Sequence, residues 1–245
     1  MFREYHKWFS HRLNRDMELL VFGHSGPRIV VFPTRQGRFF DYENFGMVGS
    51  LRDRIEGGAM QLFCVDSADS ETLYNKHTHP HHRIGRHKEY ESYILEEVLP
   101  FTSLKNNSPR LIAHGCSIGA YHSINIAFRH PHIFREVVAL SGRYDLTQQI
   151  GPFDDLFDGY YNDDIYFHTP NHFIPNMSDE VLLDQLRSMK ILLAVGREDP
   201  FFDSNVALSR ALHEKRIEHE FYVWDGGAHR ASAWRRMVRF YLEPQ

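Results

Sequence analysis

The residues Gly115-Cys116-Ser117-Ile118-Gly119 hold a serine between two glycines, one two positions before it and one two positions after. They follow the apolar run Leu111-Ile112-Ala113-His114 and precede a helical stretch, Ile118–Arg129. G-x-S-x-G between strand and helix is the setting of a sharp turn that lifts a serine out of a sheet. The turn is tight enough to require small flanking residues, hence the glycines. At the start of the helix the backbone N–H of Ile118 can face a developing oxyanion. A serine hydroxyl attacks a carbonyl only when a base takes its proton, and a carboxylate must orient that base. The chain supplies both, in the order acid and then histidine. Arg197-Glu198-Asp199-Pro200 leaves the end of the run 190–196, and Asp225-Gly226-Gly227-Ala228-His229 leaves the end of Phe221-Tyr222-Val223-Trp224. Three acids compete near the first turn. Glu198 adjoins Asp199 and in an extended turn points the opposite way. Asp203 has the place and the short carboxylate of a helix N-cap. Asp199 is therefore the expected acid and His229 the expected base.

Elements alternate along the chain in a way that can present these groups. Strands are expected at 17–23, 28–33, 61–66, 110–114, 136–141, 190–196 and 219–224, and helices at 44–56, 88–104, 118–129, 179–188, 204–215 and 231–242. Several of the strands are apolar on both faces, as parallel strands covered by helices must be. The alternation predicts an α/β fold with a mostly parallel sheet, flanked by helices on both faces. The opening stretch reads as two or three antiparallel strands at one edge. No repeat or Gly/Ser linker interrupts the sequence, so one domain is expected over 1–245.

One segment, 143–177, breaks the alternation. It carries four Phe and four Tyr interleaved with aspartates and shows no convincing regular element. An irregular insertion of this length in a compact domain is usually a functional loop or lid. The histidine cluster His77-Thr78-His79-Pro80-His81-His82 reads as a solvated loop, not a metal centre, because zinc needs ligands in fixed tetrahedral geometry. No metal and no cofactor is expected. His114 and His122, on the strand and helix around the serine, read as hydrogen-bonded core histidines. Cys116 precedes the serine and faces into packing, which does not suit a reactive thiolate.

Composition excludes several classes. Hydrophobic residues make up 42% of the chain, so disorder is out, and the longest apolar runs are strand-sized and too short to span a membrane. The net charge of −4, with no basic block, argues against nucleic-acid binding. Two cysteines make no disulfide framework, and the N-terminal residues lack an apolar signal-peptide core, so a cytoplasmic protein is expected.

The serine turn, Gly196-Arg197-Glu198-Asp199 and Gly226-Gly227-Ala228-His229 together resemble the α/β-hydrolase superfamily. Within it they are most similar to the esterase D-like ("putative esterase") family of carboxylesterases, S-formylglutathione hydrolases, siderophore esterases and mycolyl transferases. The resemblance covers nearly the whole chain, including Phe32-Pro33-Thr34-Arg35-Gln36-Gly37-Arg38-Phe39 and Glu89-Tyr90 through Glu97-Val98-Leu99-Pro100. It implies a triad of Ser117, Asp199 and His229. Many relatives have His-Gly after the third strand, where the second oxyanion donor lies. Here that place reads Pro33-Thr34-Arg35-Gln36-Gly37, and the backbone N–H of either Arg35 or Gln36 fills the role. The expected activity is hydrolysis of a small-molecule carboxylic ester with a short acyl chain, through an acyl-enzyme. An acyltransferase or thioesterase would use the same triad, and a non-catalytic binding protein could keep the fold. Self-association as a homo-oligomer stays open at this level.

Overall fold

Runs that are apolar at consecutive positions form the centre of one sheet in the computed structural model, which describes residues 1–242. The strands are β1 (Arg3–Ser10), β2 (Arg15–Phe22), β3 (Arg28–Phe32), β4 (Gln61–Val65), β5 (Leu111–Cys116), β6 (Glu136–Leu140), β7 (Lys190–Gly196) and β8 (Glu220–Trp224). Their spatial order is β1-β2-β4-β3-β5-β6-β7-β8. β1 pairs antiparallel with β2, and β2 antiparallel with β4; every other pairing is parallel. Residues of β4, β5 and β6 are buried throughout, whereas the edge strands β1 and β8 expose alternate positions.

The double burial has a simple cause: successive side chains point to opposite faces of a strand. Val30, Phe32, Phe63, Ala113, Val137 and Leu193 pack on one face against Tyr93, Ile124 and Leu208 from helices. Ile29, Val31, Leu62, Ile112, Val138 and Leu192 pack on the other against Met47, Leu51, Trp234 and Met237. The α/β architecture read from the alternation is the one observed. No helix among the described residues is long and apolar enough to cross a membrane.

Three expectations change. The single helix expected over 44–56 is three short ones, Asp41–Asn44, Met47–Ser50 and Arg52–Glu56, interrupted where Gly46 adopts a left-handed φ of 73°. The helix expected from residue 88 begins at Pro80, where His79 caps it by accepting the His81 N–H at 3.2 Å. Much of the histidine cluster is therefore the first turn of a helix, with proline at a position that suits it. That helix continues through a π-turn, Ile94–Val98, into Leu99–Lys105. Pro100 cannot donate to the preceding turn and crowds it, which accounts for the widening there. The segment 143–177 contains two short helices, Asp163–Phe167 and Pro170–Asn176, the first capped by the Asn162 side chain.

Burial of histidines carries a pH signature. Desolvation pushes His114 and His168 down to about 4, and His87 well below its usual range. In the unfolded chain each titrates near ~6.5. The stability gained by keeping them neutral is thus fully present above about pH 6.5 and is lost as pH falls toward 4, because the unfolded state takes up protons first. Glu91 is held at about 2 by His130 and Arg129 against its burial, so its own contribution is lost only at lower pH. The midpoint of urea unfolding should fall steadily between about pH 6.5 and pH 4. A flat midpoint over that interval would contradict the assignment of buried neutral histidines.

Candidate active site

Ser117 sits between β5 and the helix Ile118–Arg129 with φ 59° and ψ −123°, a conformation that its surroundings must impose. They do so by close backbone approach. A Cβ on Gly115 would lie 2.3 Å from the carbonyl carbon and oxygen of Gly119, and a Cβ on Gly119 would lie 2.4 Å from the Phe32 carbonyl oxygen. The Ser117 N–H donates to the Leu140 carbonyl at 2.9 Å, tying the turn to β6. The serine is half-buried at the carboxyl ends of the parallel strands.

Asp199 and His229 arrive from the ends of β7 and β8. Their loops lie side by side: the Arg197 N–H donates to the Trp224 carbonyl at 2.8 Å and the Glu198 N–H to the Gly226 carbonyl at 3.3 Å. The Asp199 side chain is fully buried, and its Oδ1 accepts the Phe201 N–H at 2.9 Å. His229 Nδ1 lies 3.2 and 3.1 Å from the two Asp199 oxygens and must donate to them. Its Nε2 is thereby left as an acceptor, 3.0 Å from the Ser117 hydroxyl. A buried carboxylate thus fixes the tautomer of a ring that faces a serine. Glu198 is exposed. Asp203 is exposed too, and it is not the N-cap: the helix runs Phe202–Glu214, is preceded by Phe201, and has Asp203 inside its first turn. The expected capping role of Asp203 is replaced by a favourable interaction with the helix dipole.

The turn after β3 places its donors differently from one another. Gln36 adopts φ 51°, and its N–H donates to Asp69 Oδ2 at 3.0 Å. Among the described residues the N–H groups of Arg35 and Ile118 meet no hydrogen-bond acceptor. Aromatic rings enclose His229: Phe201 and Trp234 lie edge-on with centroids at 5.2 Å, and Phe153 lies at 6.5 Å. The composition of 143–177 hinted at Phe153, and Trp234 stands in the stretch 230–234 that follows the histidine and departs from the tryptophan-rich sequence of the family it resembles, but Phe201 gave no signal in the sequence beyond proximity to Asp199. Asp69, beyond the carboxyl end of β4, was also missed, although that end of a parallel sheet is where ligand-binding groups gather.

The other polar candidates take structural places. His114 donates from Nδ1 to the Val138 carbonyl at 2.7 Å and accepts from the Tyr42 hydroxyl at 3.0 Å. His122 donates from Nε2 to Asp69 Oδ1 at 3.1 Å. Burial pushes the Cys116 thiol far up, so it is no thiolate. Among the described residues no group of three or more His, Cys, Asp or Glu side chains converges as a metal would require.

Strand order, crossover helices and a serine turn at the sheet centre define the α/β-hydrolase fold. The chain belongs to the family described as "Putative esterase", which it matches over residues 62–238, and is by that membership a carboxylic ester hydrolase. Solved structures of similar fold include a ferulic acid esterase (TM-score 0.78, 17% identity, 99% of this chain and 96% of that one). A fluorophosphonate-binding serine hydrolase of Staphylococcus aureus gives TM-score 0.75 at 14% identity, covering 98% and 96% of the two chains. An S-formylglutathione hydrolase of Agrobacterium tumefaciens gives 0.74 at 14% identity, covering 98% and 92%. No protein with a curated description matches the sequence.

The backbone contact under the serine makes a direct prediction. Gly119→Ala adds a methyl against the Phe32 carbonyl, and overpacking of this kind costs about 1–3 kcal/mol. Because the strain falls on the turn itself, ester turnover should drop at least tenfold even in folded protein. A thermal melt together with kcat/KM checks both; wild-type turnover would show that the contact is slack.

Proposed function

We propose that the protein hydrolyses short-chain carboxylic esters by a Ser117–His229–Asp199 triad and an acyl-enzyme. The reading rests on one observation: Ser117 Oγ, His229 Nε2 and Nδ1, and the Asp199 carboxylate form a continuous hydrogen-bonded chain. Ser117 Oγ attacks the carbonyl carbon while His229 Nε2 takes its proton. The ring, now an imidazolium, is stabilised by Asp199, which stays ionised. The tetrahedral oxyanion accepts hydrogen bonds from the N–H of Ile118 and, from the turn after β3, the N–H of Arg35. Gln36 is the weaker candidate because its N–H is committed to Asp69. Collapse of the intermediate expels the alcohol, to which His229 returns the proton. Water then repeats the sequence on the acyl-enzyme.

Two features support a short acyl group. Thr34, Phe45, Met47, Cys116 and Trp234, packed behind the serine turn, leave a cavity of only about 10 Å³. That is room for about one water-sized group, so no channel for a long chain runs behind the turn. On the other side Phe153 packs against Phe201 at 4.8 Å over the histidine. We read 143–177 as a partial lid on this account.

A fluorophosphonate should label Ser117 and no other serine, as mass spectrometry of the labelled protein would show; an unlabelled Ser117 in folded protein would sink the proposal. Asp199→Asn should lose at least a hundredfold in kcat, since removal of the orienting acid costs about 10⁴-fold in the protease example. Asp203→Asn should keep most activity. The exchange of those two results would move the acid. On a series of p-nitrophenyl esters, kcat/KM should peak at about two to six carbons, in keeping with a small apolar pocket. A higher value at twelve carbons or more would refute the size argument.

A further inference from the structure

We propose that Asp69 is a positioning residue for oxyanion stabilisation: it locks the Arg35–Gln36 peptide in place and ties it through His122 to the helix that carries Ser117. The inference rests on the triad reading above and extends it. Asp69 is 1% exposed and His122 3% exposed. One carboxylate oxygen accepts the Gln36 N–H at 3.0 Å and the other accepts His122 Nε2–H at 3.1 Å. His122 lies on Ile118–Arg129, the helix whose first N–H is the other oxyanion donor. A carboxylate withdrawn from water is held tightly by the donors it has, since losing one leaves a buried charge unpaired. The two donor segments are therefore linked by a single rigid group.

Asp69 is itself fixed by its own segment. Its carbonyl accepts the Tyr74 N–H at 2.9 Å and the Thr72 N–H at 3.3 Å. The Tyr74 ring carries the Arg35 guanidinium 5.5 Å above its centroid. One stretch of chain thus holds Arg35 by its side chain and Gln36 by its backbone. The need is visible in the backbone: Gln36 keeps φ 51°, a left-handed conformation that a non-glycine residue holds only under constraint. Released from Asp69, the Arg35–Gln36 peptide can rotate within its turn, and that shifts the adjoining Thr34–Arg35 peptide, which carries the Arg35 N–H, relative to the site of the oxyanion. Preorganised donors act only if they need no reorganisation as charge develops. A displacement near 1 Å at a reacting centre costs about a hundredfold in rate.

Asp69→Asn tests this because it preserves shape but presents an NH2 to one of the two donors. On a p-nitrophenyl ester, kcat should fall about tenfold to a hundredfold with KM within about threefold. A trifluoromethyl ketone, which adds to Ser117 and generates the oxyanion, should lose affinity by the same factor as kcat/KM. The matching unreactive amide, which generates no oxyanion, should bind as it does to wild type. Should Asp69→Asn fail to fold, His122→Phe severs the helix side of the tie and carries the same comparison. Variants that keep kcat and trifluoromethyl ketone affinity within twofold of wild type would overturn the proposal. So would a loss of kcat without loss of that affinity, which is the mark of a merely structural role. Wild-type protein that turns over no ester and takes no label at Ser117 would instead remove the triad reading itself, and this inference with it.

Discussion

The site depends on one contact, the backbone of Gly119 pressed between Gly115 and the carbonyls of Phe32 and Pro33. Because β3 and β5 are neighbours in the sheet, the turn after one strand and the turn after the other have to share the space at their carboxyl ends. Only residues without a Cβ let the elbow close there. The same closeness that makes the serine turn possible brings the first N–H of the helix Ile118–Arg129 beside the turn that holds Arg35. The serine turn and the N–H groups beside it are therefore products of a single packing constraint rather than separate inventions. Side-chain chemistry enters only after the backbone has made the room.

Parallel pairing then delivers the remaining groups to the same edge. β4, β7 and β8 end at the same edge as β3 and β5, and beyond their carboxyl ends lie Asp69, Asp199 and His229. The backbone bonds between the loops after β7 and β8 hold the segments of Asp199 and His229 side by side. This is why Ser117, Asp199 and His229, spread over much of the sequence, can keep one fixed arrangement. Its members are each a few residues from a strand that does not move relative to its neighbours.

How much of this could be read in advance follows from how local each cause is. The inner strands were legible because burial on both faces writes itself into the sequence as continuous apolar runs. The serine turn was legible because its steric demand falls on residues within two positions of Ser117. Asp199 and His229 were singled out by their place after strands, and the structure sets them at hydrogen-bonding distance. Helix boundaries were less legible. Pro80 looked like a loop residue because a proline at the first turn and a proline in a loop have the same local sequence, and only tertiary packing of His87 and Tyr90 decides between them. Asp69 was invisible for a different reason. Nothing in Asp66-Ser67-Ala68-Asp69 reveals that its partners are Gln36 and His122, which reach it from two other parts of the chain.

The buried polar groups behind the serine follow one electrostatic logic. Ring centroids run from His122 to His87 at 5.4 Å and from His87 to His168 at 5.5 Å, with Asp69 at one end and Glu91 at the other. Charge is costly in such an interior unless donors converge on it. Both carboxylates have converging donors: Asp69 has Gln36 and His122, and Glu91 has Arg129 and His130. Of the two rings between them, His168 lies 3.8 Å from Glu91, yet desolvation outweighs that attraction and favours the neutral form of both His87 and His168. Neutral rings can fill the space between two fixed charges without adding a third. The low polarity that makes these histidines expensive to protonate is thus the same condition that ties the Asp69 carboxylate to its two donors, the Gln36 N–H and His122.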